Sequence, residues 1–147
     1  MDDLITGTAA GVPWVARPPH GGARPTAPAV VAWHLLDAPR TEAAFAAAVP
    51  LAGLDAWRIY FGLPLSGSRL PEGGYPELQR RVMLDPVLNV NQPVAAGAIA
   101  EFPAAFAKVR EQLAINAGPI GVLGGSMDLR WDRAHKVQVV HPGALFP

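Results

Sequence analysis

The run Ala29-Val30-Val31-Ala32-Trp33-His34-Leu35-Leu36 limits the fold more than any other stretch of the chain. A strand with one wet face alternates apolar and polar residues. A run that is apolar and β-branched throughout reads instead as a strand covered on both faces, the condition of a parallel sheet flanked by helices. Parallel neighbours need a crossover, and the chain supplies one. Asp37-Ala38-Pro39-Arg40 breaks the strand, and Thr41-Glu42 opens a short helix through Phe45 and Ala48 that ends before Pro50. Ala56-Trp57-Arg58-Ile59-Tyr60-Phe61-Gly62 then reads as a second strand, giving one right-handed βαβ unit.

Further along, Leu65 to Gly74 is a loop rich in glycine and serine, and Pro76 to Leu84 has helical character. From Asp85-Pro86 to Ile115, apolar residues recur at helical spacing at Val94, Ala98, Phe102, Phe106, Val109 and Leu113. Pro93 lies near the start and a kink is expected at Pro103. Asn116-Ala117-Gly118 carries helix-stop chemistry, and Pro119 to Leu123 is a short apolar strand. At the other end, Gly11 to Ala16, interrupted by Pro13, reads as an edge strand at most, followed by a Pro/Gly loop through Pro25. The order strand, helix, strand, long helical connection, strand argues for an α/β fold with a mostly parallel sheet and helices on its faces.

Composition narrows the function. Of 147 residues half are hydrophobic, enough for a sizeable core, and twelve basic residues balance twelve acidic ones. That balance gives no long-range positive field, so neither a nucleic-acid nor a membrane partner is expected. The absence of cysteine rules out disulfides, a thiolate nucleophile and Cys-ligated metal sites. His135 and His141 are spaced six apart, not the i, i+4 of a helical ligand pair, so no metal and no cofactor is expected. The acidic start Met1-Asp2-Asp3 lacks the basic region of a signal peptide, and no apolar run spans a bilayer; a cytoplasmic protein is expected.

Leu123-Gly124-Gly125-Ser126-Met127, directly after the last apolar strand, resembles the nucleophile elbow of the α/β-hydrolase superfamily, G-x-S-x-G between a buried strand and a helix. A serine there sits on a sharp turn, and small neighbours are needed where strand and helix approach; Gly124 and Gly125 meet that need, while Asp128 stands where the pattern has glycine. The resemblance reaches back through the preceding strand, helix and strand, so the chain resembles the N-terminal portion of a serine hydrolase ending at the elbow. It implies Ser126 as nucleophile toward a small ester or acyl substrate. Met127 N–H would be one oxyanion donor. The other would come from the loop His34-Leu35-Leu36-Asp37, from Leu35 or Leu36, with Leu35 taken as the expectation.

The resemblance also asks for an acid and a histidine after the serine. Asp132 and His141 are the candidates, with Asp128 and His135 beside them. Met127 to Pro147 has room for one average helix of about 11–12 residues and one strand of about 5–6. The expectation is therefore a partial, truncated hydrolase-like domain over 1–127 and an atypical tail over 128–147, foreign to the fold if a reading frame was interrupted near Met127. Such a chain would be weakly active or inactive. The alternative is a non-catalytic remnant or interaction module whose open sheet edge needs a partner, which favours a homo-oligomer.

Other residues read as structural. His34 at a strand end is a hydrogen-bonded structural group ahead of an oxyanion-loop residue, and His20 is solvated. Trp14, Trp33 and Trp57 belong to the core. Arg80-Arg81 is solvated surface, and Ser66 and Ser68 line a substrate mouth or serve turn chemistry.

Overall fold

A computed structural model describes residues 4–36, 38–115 and 118–124. Strands β1 (Ile5–Ala9), β2 (Val12–Arg17), β3 (Ala29–Trp33), β4 (Trp57–Phe61) and β5 (Ile120–Leu123) form a sheet in the order β1-β2-β4-β3-β5. Between them run α1 (Glu42–Ala48), α2 (Gly74–Leu84) and α3 (Gln92–Leu113). β3 pairs parallel with both β4 and β5, whereas β2 is antiparallel to β1 and β4. Four of the five strands thus point one way. This is the partial α/β fold expected, a mixed, mostly parallel sheet with helices, consistent with an α/β-hydrolase-like structure.

The first two strands correct the expectation of a single edge strand before the Pro/Gly loop. Ala10 and Gly11, at φ 50° and 80°, make a two-residue turn of the kind that suits the right-handed twist of paired strands. β2 therefore lies inside the sheet, despite Pro13. Proline has no N–H to give to the ladder, and interior strands usually reject it for that reason. Here Gly62 N–H still donates to Pro13 O (2.8 Å), and the Gly62 carbonyl receives the Arg69 guanidinium instead (Nη2···O 2.6 Å). A side chain replaces the missing backbone donor.

Helices cover the two faces unequally. α3 buries Val94, Ala98, Phe102, Phe106 and Val109 of the stripe read from the spacing, and Ala105 beside them, against Val31, Trp33, Ile59 and Phe61, while Leu113 at the end of the stripe is half-buried. Phe102 lies 5.3 Å from Trp33 and meets Phe61 edge-on at 5.8 Å, geometries that suit aromatic quadrupoles. On the opposite face, Phe45 and Ala46 of α1 pack on Val15, Ala32 and Tyr60. Thr41 caps α1 as its sequence suggests, its Oγ1 accepting from Ala44 N–H (3.1 Å).

α3 runs through Pro103 as one helix, preceded by a π-helical turn over Val87–Asn91. Pro103 is on the exposed side, where water can serve the carbonyl of Ile99 that proline leaves without its helical donor. The helix ends before the glycine expected to stop it. Ala114 takes the left-handed conformation (φ 53°), and Ile115 N–H returns to Arg110 O (2.9 Å). Gly118 serves close packing instead, since a Cβ there would lie 2.6 Å from the carbonyl oxygen of Ala27. Asn116 and Ala117 lie outside the described residues.

Among the described residues, no helix is long and apolar enough to cross a membrane.

Candidate functional site

The carboxyl ends of β3, β4 and β5 come together at one edge of the sheet, the edge where open α/β sheets place their ligands. Trp33 pairs with Phe61 and Ala32 with Leu123. The segments leaving this edge are therefore His34-Leu35-Leu36 after β3, Gly62-Leu63-Pro64 after β4 and Gly124 after β5. The loop singled out as oxyanion donor follows the strand that neighbours β5, the strand after which Ser126 comes in the sequence, although the two strands lie far apart in the chain.

His34 organises this edge. It is 3% exposed, and its Nε2 accepts a hydrogen bond from Leu63 N–H (2.9 Å). A backbone N–H can only donate, so Nε2 carries no proton, and the ring's single proton sits on Nδ1 and is given to Leu35 O (2.7 Å). Both nitrogens are engaged, and the ring joins the β3 and β4 exits. Burial pushes its pKa below the ordinary histidine value, assisted by the positive charge of Arg69 and opposed by the Leu35 hydrogen bond and by Glu42. A neutral ring with both nitrogens bonded is a structural clamp, which agrees with the structural reading of this histidine.

Around the clamp lies a set of charged side chains that sequence reasoning did not identify. Arg69 holds Glu101 of α3 through two bonds, at 2.7 and 2.9 Å, besides its bond to Gly62 O. The bidentate pair fastens the loop after β4 to α3. Arg69 and Glu101 are 32 residues apart, so no local pattern could have linked them. Glu42, in the first turn of α1, approaches from the other side: a Cβ on Gly62 would meet its Oε2 at 2.8 Å and the Pro13 ring at 2.7 Å. A side chain at Gly62 would press on the Pro13 ring and push the Glu42 carboxylate aside. Arg40 lies over the ring of Tyr75, 5.5 Å from its centroid, and so joins the β3 loop to the start of α2.

Of the other residues named from the sequence, Ser66 turns its hydroxyl toward Pro64 O (3.4 Å) within its own turn, and Ser68 lies in a short 3-10 helix over Gly67–Arg69. Both serve turn chemistry there. His20 is exposed at the opposite edge, its backbone N–H donating to Leu54 O (3.1 Å). Trp14, Trp33 and Trp57 are buried in the core. Arg80 and Arg81 are paired with Glu77, whose carboxyl they hold at a pKa of about 2. Ser126, Met127, Asp128, Asp132, His135 and His141 lie outside the described residues. Among the described residues, no three His, Asp or Glu side chains gather as metal ligands.

Among solved structures, the chain is similar to the crystal structure of TT1662 from Thermus thermophilus. The TM-score is 0.52 at 18% identity, over 86% of this chain and 48% of that one. This chain thus spans about half the length of TT1662, and at that identity the likeness speaks for the fold alone. No family model and no curated protein matches the sequence.

Proposed function

We propose that the chain is an α/β-hydrolase-like serine hydrolase of the esterase or acyl-hydrolase type. Ser126 attacks the carbonyl carbon of a small ester or acyl compound, and the carbonyl oxygen becomes an oxyanion. Met127 N–H and an amide of the loop after β3 receive that charge. His141 takes the serine proton and returns it to the leaving alcohol, and Asp132 orients the histidine.

One observation carries this reading: β5 lies beside β3, parallel and with matched ends. Leu123, three residues before Ser126, pairs with Ala32, three residues before Leu35. An acyl-transfer site needs its nucleophile and its second oxyanion donor about one substrate group apart, and neighbouring parallel strands deliver their following loops to the same edge. A donor aimed at the oxyanion is worth about 10²–10³-fold in rate, so a chain with a poorly set base retains measurable acylation.

The test is labelling of the purified 147-residue chain by a fluorophosphonate probe, with Ser126→Ala as the control. Labelling is expected in the parent protein and is lost in the variant. Well-folded parent protein that resists the probe would overturn the proposal.

A further inference from the structure

We infer that the corner between α2 and α3 is the docking surface for a second copy of this chain, a two-fold dimer held by Val82, Met83, Leu84, Val87 and Leu88. A surface helix normally turns its apolar stripe to the core and its charges to water. α2 does the reverse. None of its residues is buried, the partly covered side holds Glu77 and Arg81 beside Leu78, and most of its apolar residues face outward. Met83 is 85% exposed and Leu84 68%. The chain then bends through Asp85 and Pro86 into the π-helical turn, where Leu88 is 62% exposed and Val87 50%. Five exposed apolar side chains thus fall between positions 82 and 88, close enough in the chain to form one patch.

The corner holds its shape without them. Asp85 Oδ1 accepts from Val87 N–H (3.1 Å) and Leu88 N–H (3.0 Å), and Asn89 Nδ2 donates to Arg81 O (3.1 Å). Polar bonds fix the bend, so the apolar side chains stand on a set frame and docking has little backbone left to order. The charges beside the patch select its occupant. Glu77 binds both Arg80 (2.7 Å) and Arg81 (3.2 Å), so these basic residues are already paired and offer little to an anionic headgroup or an acidic protein. An uncharged apolar surface fits better. The chain carries twelve basic and twelve acidic residues, so a second copy approaches without net repulsion, and a two-fold contact asks only that the patch match itself. Unbranched Met83 adapts readily to such a contact. The five side chains offer on the order of 500 Å² per copy, so a pair buries about 1,000 Å², the lower end of specific interfaces. A dimer in the micromolar range follows.

Sedimentation velocity of the full chain across the micromolar range tests this, independently of any activity at Ser126. A concentration-dependent dimer is expected, little changed by added salt. Met83→Glu and Leu88→Glu should each weaken it about 10²-fold, because the two-fold contact loses two apolar side chains and gains two like charges. Met83→Leu should keep it. Ala104→Glu, on the exposed side of α3, adds the same charge away from the corner and should leave the dimer intact. Both corner variants alter exposed positions, and unchanged urea midpoints are expected to show that they fold. A parent chain that stays monomeric at every concentration overturns the inference, as does a dimer that survives both corner variants or dissolves equally in Ala104→Glu. Binding of the monomer to phosphatidylcholine vesicles, lost in Met83→Glu, would also overturn it and give the patch to a lipid surface.

Discussion

Replacing Gly118 by alanine tests how the last strand is seated against the rest of the sheet. The added Cβ would lie 2.6 Å from Ala27 O, 3.0 Å from Ala27 C and 3.0 Å from Thr26 O, all backbone atoms. A flexible side chain could swing aside from such a contact; a carbonyl cannot without moving its chain. Ala27 leads into β3, and the Pro119 carbonyl beside the glycine accepts from Ala29 N–H (3.0 Å), the first bond of the β3–β5 ladder. Relief of the clash must shift β5 outward or break that bond. Overpacking by one methyl costs about 1–3 kcal/mol and the lost hydrogen bond about 1 more, giving a destabilisation of about 2–4 kcal/mol. That is a large share of the roughly 5–15 kcal/mol that holds a domain. Gly121, three residues on in β5, is the internal control. A Cβ there meets only Val30 Cγ2 at 3.8 Å, an ordinary contact, so Gly121→Ala should be neutral or stabilising by up to about 1 kcal/mol. Urea unfolding followed by tryptophan fluorescence gives both midpoints. A Gly118→Ala midpoint equal to the parent's, or a Gly121→Ala protein less stable than Gly118→Ala, would refute the reasoning.

Three further outcomes are expected. Arg58 is 1% exposed, and its guanidinium binds the carbonyls of Pro18 (2.5 Å), Pro50 (3.1 Å) and Leu51 (3.1 Å); Arg58→Met should cost about 3–5 kcal/mol in the same urea assay, because three acceptors lose a charged donor. Ala114→Gly should stabilise by about 1 kcal/mol, since an L-residue pays about that much for the left-handed cap that glycine adopts freely; a lower midpoint would contradict it. Because burial first of all holds the His34 pKa below 6.5, the unfolded chain takes up a proton that the fold refuses. Its contribution to stability is full above about pH 6.5 and declines as pH falls toward the folded pKa. Urea midpoints at pH 7.5 and 5.5 should show a steeper acid loss in the parent than in His34→Phe, and equal losses would exclude the buried neutral ring.

The sequence by itself determined the parts that depend on near neighbours. The unbroken apolar run of β3 foretold a strand with both faces covered, and the aromatic-rich run of β4 foretold a second strand. The spacing of Val94, Ala98, Phe102, Phe106 and Val109 foretold the buried stripe of α3, and Thr41 marked the start of α1. Those signals are local, because periodicity and capping act within a few residues. Their order was enough for the fold class. It was not enough for β1 and β2, where a weak alternation and a proline hid a hairpin that Ala10 and Gly11 close and Arg69 completes from outside. At the candidate site the division is sharper. Ser126 and the loop after β3 were legible as a pattern, but only the pairing of β3 with β5 brings the strands that lead to them side by side. His34 reaches across to Leu63, 29 residues on, to join the exits of β3 and β4, and the Arg69–Glu101 pair joins residues 32 apart. Such contacts are made by side chains that meet only after the sheet has formed, so no linear reading of the chain contains them.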